Sequence, residues 1–221
     1  MSISGKKCAI ISLGMSCQTS YQIIEHANLL KGLLADDTIV RTTLPFDWLI
    51  APMEGTAEIL KTRKFVPERE ELVTTPKPIW RSKNVVFWHE FAAHGHKPCR
   101  ITDSAFDNFA ARQEHKAENL QAIARSERLV CVVSNTQNNL ARVARQTGTF
   151  GIFATPGHLS EISAAASAYF GRMPEFMFVT RRDRFVGAPP PHIKTYYLEP
   201  GPKSWKGDHA QWARVFIDYF H

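Results

Sequence analysis

The chain is punctuated by short apolar runs, each too short to make a helix of its own. KCAIISL (7–13) and NVVFW (84–88) come first; RLVCVV (128–133), FGIFA (150–154), FMFVT (176–180) and IKTYYL (193–198) follow. Such a run, bounded by turn residues, marks a strand buried on both faces. Most of the intervals carry helical spacing instead. Tyr21, Ile24, Ala27 and Leu30 share one face, closed by Gly32. Ser104 is placed to cap a long helix with Phe106, Phe109, Ala117, Leu120 and Ile123 inward. Further helices are expected over 138–146, from Ser160 to Gly171, and after Asp208, with Trp212, Val215, Phe216 and Tyr219 inward.

Strands alternating with helices predict an α/β fold, a three-layer sandwich on a mostly parallel central sheet of about five or six strands. The segment between the last two runs, RRDRFVGAPPP, lacks a helix, so the last strand is expected to run antiparallel at an edge. Residues 35–82 read as an irregular insertion or lid after the first helix, with one short helix around 54–64. A length of 221 residues suits a single domain, 1–221.

Charge and cysteine usage narrow the classes of partner. Lys and Arg number 27 against 21 Asp and Glu, a formal +6 that is scattered apart from Arg181, Arg182 and Arg184. Nucleic-acid surfaces concentrate their charge, so a small anionic or glycan-related substrate fits better than nucleic acid. Cys8, Cys17, Cys99 and Cys131 form no CxxC pair, and the N-terminus lacks a secretion h-region. These features point to free thiols in the cytoplasm. No stretch approaches a membrane span, and no motif calls for a cofactor.

A parallel sheet binds ligands outside the carboxyl ends of its strands. Reading those ends in order gives SLGMSC, His89-Glu90, Ser134-Asn135, Thr155-Pro156 and Arg181-Arg182. Cys17 stands where the first strand meets a helix, and a helix N-terminus favours a thiolate. With His89 as base, it makes a candidate nucleophilic pair, and Glu90, Asp47 or Asn135 is available to orient the imidazole. Gly14 permits a sharp turn, after which the N–H groups of residues 15–18, with Ser16, are placed to hold an oxyanion or phosphate. Arg181 and Arg182 add positive charge at the same edge. His89, His94 and His96 in HEFAAHGH lack the i, i+4 spacing of a zinc helix, so no metal site is expected. Asp47 and the aromatics of PFDW read as a buried plug or a lid, and Asp208-His209 as a helix cap with a neighbouring histidine.

At SLGMSC, LPFDWL and FWHEF the chain resembles a bacterial family of unknown function described as papain-like cysteine peptidases. Its pattern is SLGxxC, then PFDW, then an HD or HE pair after a strand. The match falls on Ser12, Leu13, Gly14 and Cys17, on Pro45, Phe46, Asp47 and Trp48, and on His89 and Glu90, within the first half of the chain. The resemblance implies a thiol hydrolase with Cys17 as nucleophile and His89 as general base. Two classes therefore stand side by side. One is that hydrolase, or an acyl transferase, using Cys17 and His89. The other is an α/β domain that binds or transfers a phosphorylated or sugar-like ligand at the same strand ends.

Overall fold

The computed structural model describes residues 8–34, 38–40, 43–75, 77–91, 101–148, 152–201 and 204–221. Its strands are β1 (Cys8–Ser12), β2 (Leu72–Thr75), β3 (Lys77–Trp80), β4 (Val85–Val86), β5 (Arg128–Ser134), β6 (Glu175–Thr180) and β7 (Ile193–Tyr197). Its helices are α1 (Cys17–Glu25), α2 (Ala27–Leu33), α3 (Met53–Thr62), α4 (Asp103–Ile123), α5 (Leu140–Thr147), α6 (Pro156–Phe170) and α7 (His209–Phe220).

The fold is α/β, as expected. The central sheet has the order β1-β5-β6-β7, with every pairing parallel. Alternation along its strands makes two cores. Ala9, Ile11, Leu129, Cys131, Val133, Phe176 and Phe178 face one side, with Leu60, Phe109, Leu120 and Ile162 from α3, α4 and α6. Cys8, Ile10, Val130, Val132, Met177 and Val179 face the other, with Leu30, Trp212 and Phe216 from α2 and α7. Each fully buried side chain of this size contributes about 1.5–3 kcal/mol.

β1 has a neighbour on its outer side as well. Ile10 donates to the Ile39 carbonyl (3.1 Å) and Ile39 to the Cys8 carbonyl (2.9 Å), as in a parallel pair. The chain thus leaves β1 in one direction to reach Ile39 and later enters the sheet on the other side as β5. The crevice between the carboxyl ends of β1 and β5 is a topological switch point, where open α/β sheets bind ligands.

Several expectations are corrected. Residues 84–88 do not enter the central sheet; Val85–Val86 pair with β3 in a separate antiparallel sheet, β2-β3-β4. Val85 and Val86 are fully buried, but an apolar run reports burial on both faces and not which sheet accepts it. The insertion is also more ordered than expected, since it holds this hairpin and α3. It is tied back by two bridges, Met15 with Ala51 and Ile50 with Val86. The last strand, β7, is parallel to β6, because the Pro-rich segment returns the chain to the amino end of the sheet without an α-helix. Of the run 150–154, the described part makes one bridge, Ala154 with Phe185.

Helix boundaries moved where another oxygen capped better. The cap of α4 is Thr102, which accepts from Ala105, and that of α6 is Thr155, which accepts from His158 ahead of Pro156. Asp208 caps α7 through the Gln211 N–H, as the sequence indicated. The first helix breaks at His26, and Gly32 lies inside α2. No helix among the described residues is long and apolar enough to cross a membrane.

Candidate functional site

The loop leaving β1 is locked from several directions. Gly14 has φ +93°, a conformation that a side chain would strain. Its carbonyl accepts from the Thr19 hydroxyl (3.0 Å) and from the Ser134 N–H (3.0 Å), which ties the ends of β1 and β5 together. Ser16 is the N-cap of α1, but its hydroxyl makes no cap bond; it is fully buried and has no hydrogen-bond partner among the described residues. The expected anion seat on the helix N–H groups is partly filled from within. Gln18 N–H donates to the Gln137 side-chain oxygen (3.2 Å), and Thr19 N–H to the Ser16 carbonyl (3.2 Å).

Cys17 opens α1, where the sequence placed it, but its surroundings are apolar. The thiol is buried among Ile50, Ile79, Val86, Leu140 and Val143, with Trp48, Trp88 and Trp205 around them. It donates to the Leu49 carbonyl (3.6 Å). Burial pushes its pKa up to about 12; the residue's own backbone N–H opposes this, and the Asp47 charge adds to it. The helix N-terminus does not overcome desolvation here, so the sulfur is held as a thiol.

His89 follows β4, so it does not end a strand of the central sheet. It is exposed and meets Trp48 edge-on, with centroids 5.9 Å apart. Desolvation by partial burial, then Lys77, lower its pKa, and Glu90 opposes them. Glu90 turns away to Arg112 (2.6 Å) and Lys116 (3.3 Å), so its carboxylate is already satisfied. Asp47 is buried under α1, accepting from the Leu44 N–H (2.9 Å), and burial raises its pKa to about 7. A small cavity of about 10 Å³, lined by Ser12, Ser20 and Asp47 among apolar side chains, lies beside it.

On the far side of the crevice the polar groups are structural or cationic. Asn135 is fully buried and donates to the carbonyls of Ile152 (2.9 Å) and Arg184 (3.0 Å), while accepting from the Thr180 hydroxyl (2.7 Å). It is a bracket between β5, β6 and the segment at 152–154. Arg181 is paired with Asp183 (2.8 Å), and Arg182 is exposed with its guanidinium 5.0 Å from the Tyr197 ring centre. Arg181 is thus tied to a carboxylate, and Arg182 lies at the surface beside a tyrosine.

Arg184 is the buried arginine of the three. Its guanidinium is buried, 4% exposed, and no carboxylate pairs with it among the described residues. One terminal nitrogen donates to the carbonyls of Asn135 and Gln137 (2.8 Å to the latter), and Nε has no partner among the described residues. Desolvation, then the like charge of Arg181, lowers its pKa to about 10 against the opposing charge of Asp183, so it stays charged at neutral pH. The sequence counted Arg184 only as one more scattered charge. The available signal was its position one short 3-10 turn past a strand end, just before Phe185, which is buried.

Gln137 joins the two sides of the crevice, holding α1 through its side chain and Arg184 through its carbonyl. Thr136 donates to the Gln18 side chain, and the Gln18 amide reaches the Trp205 carbonyl (2.8 Å). The loop before α7 is thereby laid against α1, where Trp205 packs on Tyr21 at 5.2 Å. Asp208 and His209 belong to this attachment, Asp208 as helix cap and His209 against Tyr21 and His26. Cys99, His94 and His96 lie outside the described residues, and among those described no cluster of His, Cys, Asp or Glu is arranged to hold a metal. No family model, no curated protein and no solved structure matches this chain.

Proposed function

We propose that the protein binds a phosphorylated small molecule at the switch-point crevice, as a binding or transferase-type α/β domain. The observation that carries this reading is Arg184. A buried cation without an ion-pair partner is costly, because its hydration is lost and the neighbouring Asp183 charge offsets that only in part. A site that waits for an anion has this form, with the charge held ready by neutral carbonyl oxygens. The unpartnered Ser16 hydroxyl, on the β1 side of the crevice, supplies a second donor suited to a phosphate oxygen.

The hydrolase expected from SLGxxC and PFDW asks for a thiolate with an imidazole in reach. The surroundings of Cys17 favour the neutral thiol, and its hydrogen bond goes to Leu49. The geometry therefore supports ligand binding better than thiol catalysis.

Calorimetric titration with inorganic phosphate tests the proposal. Binding is expected with the wild-type protein. It is expected to be lost in Arg184→Gln and weakened in Ser16→Ala, with near-UV circular dichroism confirming that both variants are folded. No heat with the wild type, or equal affinity in Arg184→Gln, would contradict the reading.

A further inference from the structure

The chain has five tryptophans. Trp80 and Trp212 are fully buried core residues. The other three, Trp48, Trp88 and Trp205, are half-buried, and all three gather on the apolar cluster around Cys17. They arrive from three separate places: the PFDW turn, the end of β4, and the loop before α7. Simple packing of a cluster edge does not require that concentration.

The backbone at Trp48 gives an independent observation. It has φ +62°, in the left-handed region that a bulky side chain avoids. Strain of this kind persists where the surrounding structure insists on one side-chain direction, and it collects at ligand sites. Here it sets the Trp48 indole between His89, at 85° to it, and Trp205, at 69°. Cations stand at the margin: the Lys77 ammonium lies 5.1 Å from the Trp88 ring centre and the Lys206 ammonium 5.2 Å from that of Tyr21.

We infer that this aromatic wall receives the sugar ring of a hexose phosphate, the identity of the ligand proposed above; the inference rests on that reading. Ser16, with its unpartnered hydroxyl, directly precedes Cys17, on whose cluster the wall is built. Gln18 links the two: its side-chain amide donates to the Trp205 carbonyl (2.8 Å) and its N–H to Gln137 (3.2 Å), whose carbonyl accepts from Arg184 (2.8 Å). Phosphate and ring sites are thus contiguous. The wall suits a sugar better than a nucleobase. Its rings meet edge to face, so Trp48 forms no parallel pair with either neighbour between which a flat base could be sandwiched. A pyranose lays one C–H face on an indole and turns its hydroxyls toward His89, Lys77 and Lys206.

Tryptophan fluorescence with four probes tests this: inorganic phosphate, glucose, glucose 6-phosphate and AMP. Glucose 6-phosphate is expected to change the emission and to bind at least about tenfold tighter than phosphate, roughly the gain from one added contact of 1.4 kcal/mol. Trp48→Phe and Trp205→Phe are each expected to remove that gain while leaving phosphate affinity, measured by calorimetry, unchanged. Either variant suffices if the other does not fold. Equal affinity for phosphate and glucose 6-phosphate, or a gain that survives both substitutions, would overturn the ring site and leave the anion site standing. AMP binding tighter than glucose 6-phosphate would overturn the choice of a sugar. Failure of every phosphorylated probe would instead remove the anion reading itself.

Discussion

The two sides of the switch point meet the same problem, a polar group under cover, and solve it oppositely. On the β1 side, burial works against the charged forms. The Cys17 thiol is pushed up to about 12 and the Asp47 carboxyl to about 7. On the β5–β6 side, burial leaves the charge in place. Arg184 falls only to about 10, because an arginine starts so high. The difference is chemical before it is structural: desolvation of similar kind silences a thiol and spares a guanidinium. A charged, dry, unpaired group is what remains for function.

The contrast is sharpest in thiol reactivity. A pKa of about 12 leaves about 10³-fold less thiolate than a free cysteine near 8.5. Alkylation of Cys17 by iodoacetamide in the native protein at pH 8 should be slower by about that factor, and His89→Ala should leave its pH profile unchanged. Mass-spectrometric rates at Cys17 check both points. A half-maximal rate near neutral pH would show that the β1 side is not neutral.

Beneath Cys17 the PFDW turn holds the scaffold. Phe46, 1% exposed and set edge-on to Phe65, should cost about 3–5 kcal/mol as Phe46→Ala in denaturant unfolding. Asp47 beside it is a test of pH. Unfolded, an aspartate loses its proton near pH 4; folded, Asp47 keeps it to about 7. Between those values the folded state holds a proton that the unfolded state has lost, so stability falls as pH rises and then levels off. Asp47→Asn should remove that slope and be the more stable protein at pH 8, by about 2–4 kcal/mol. A variant that is less stable at pH 8 would mean the carboxylate, not the acid, is the native form.

Across the crevice, Asn135→Ala removes three buried hydrogen bonds and strands their partners. The loss should be about 2–3 kcal/mol by chemical unfolding, with no change in Cys17 reactivity.

What was legible in the sequence follows the same division. The central strands β1, β5 and β6 could be read because continuous apolar runs of that length have few other uses. The Asp208 cap and the Gly171 stop were legible because their chemistry is local. NVVFW was misplaced because it closes a short antiparallel hairpin with the nearby Ile79 and Trp80 and meets the distant Ile50, and its apolar letters do not say that it pairs there and not in the central sheet. The site was legible as a location and less so as a set of roles. Gly14, Ser16, Cys17 and Asn135 do stand at the strand ends. Yet Asn135 is a bracket, the Glu90 carboxylate is taken by Arg112 and Lys116, and Arg181 is paired with Asp183. Those assignments depend on which partners arrive from other elements. Arg184 differs from Arg181 and Arg182 in burial and in partners, which the letters RRDR do not carry.

The most direct measurement is the thermal unfolding midpoint as chloride is replaced by inorganic phosphate at constant ionic strength, in the wild type and in Arg184→Gln. An anion bound only by the folded state stabilises it by about 2.7 kcal/mol at a hundred times its dissociation constant. The wild-type midpoint should therefore climb with phosphate and the Arg184→Gln midpoint should stay flat. A wild-type midpoint indifferent to phosphate, or the same rise in both proteins, would contradict the assignment of Arg184 as a cation held in reserve for a ligand.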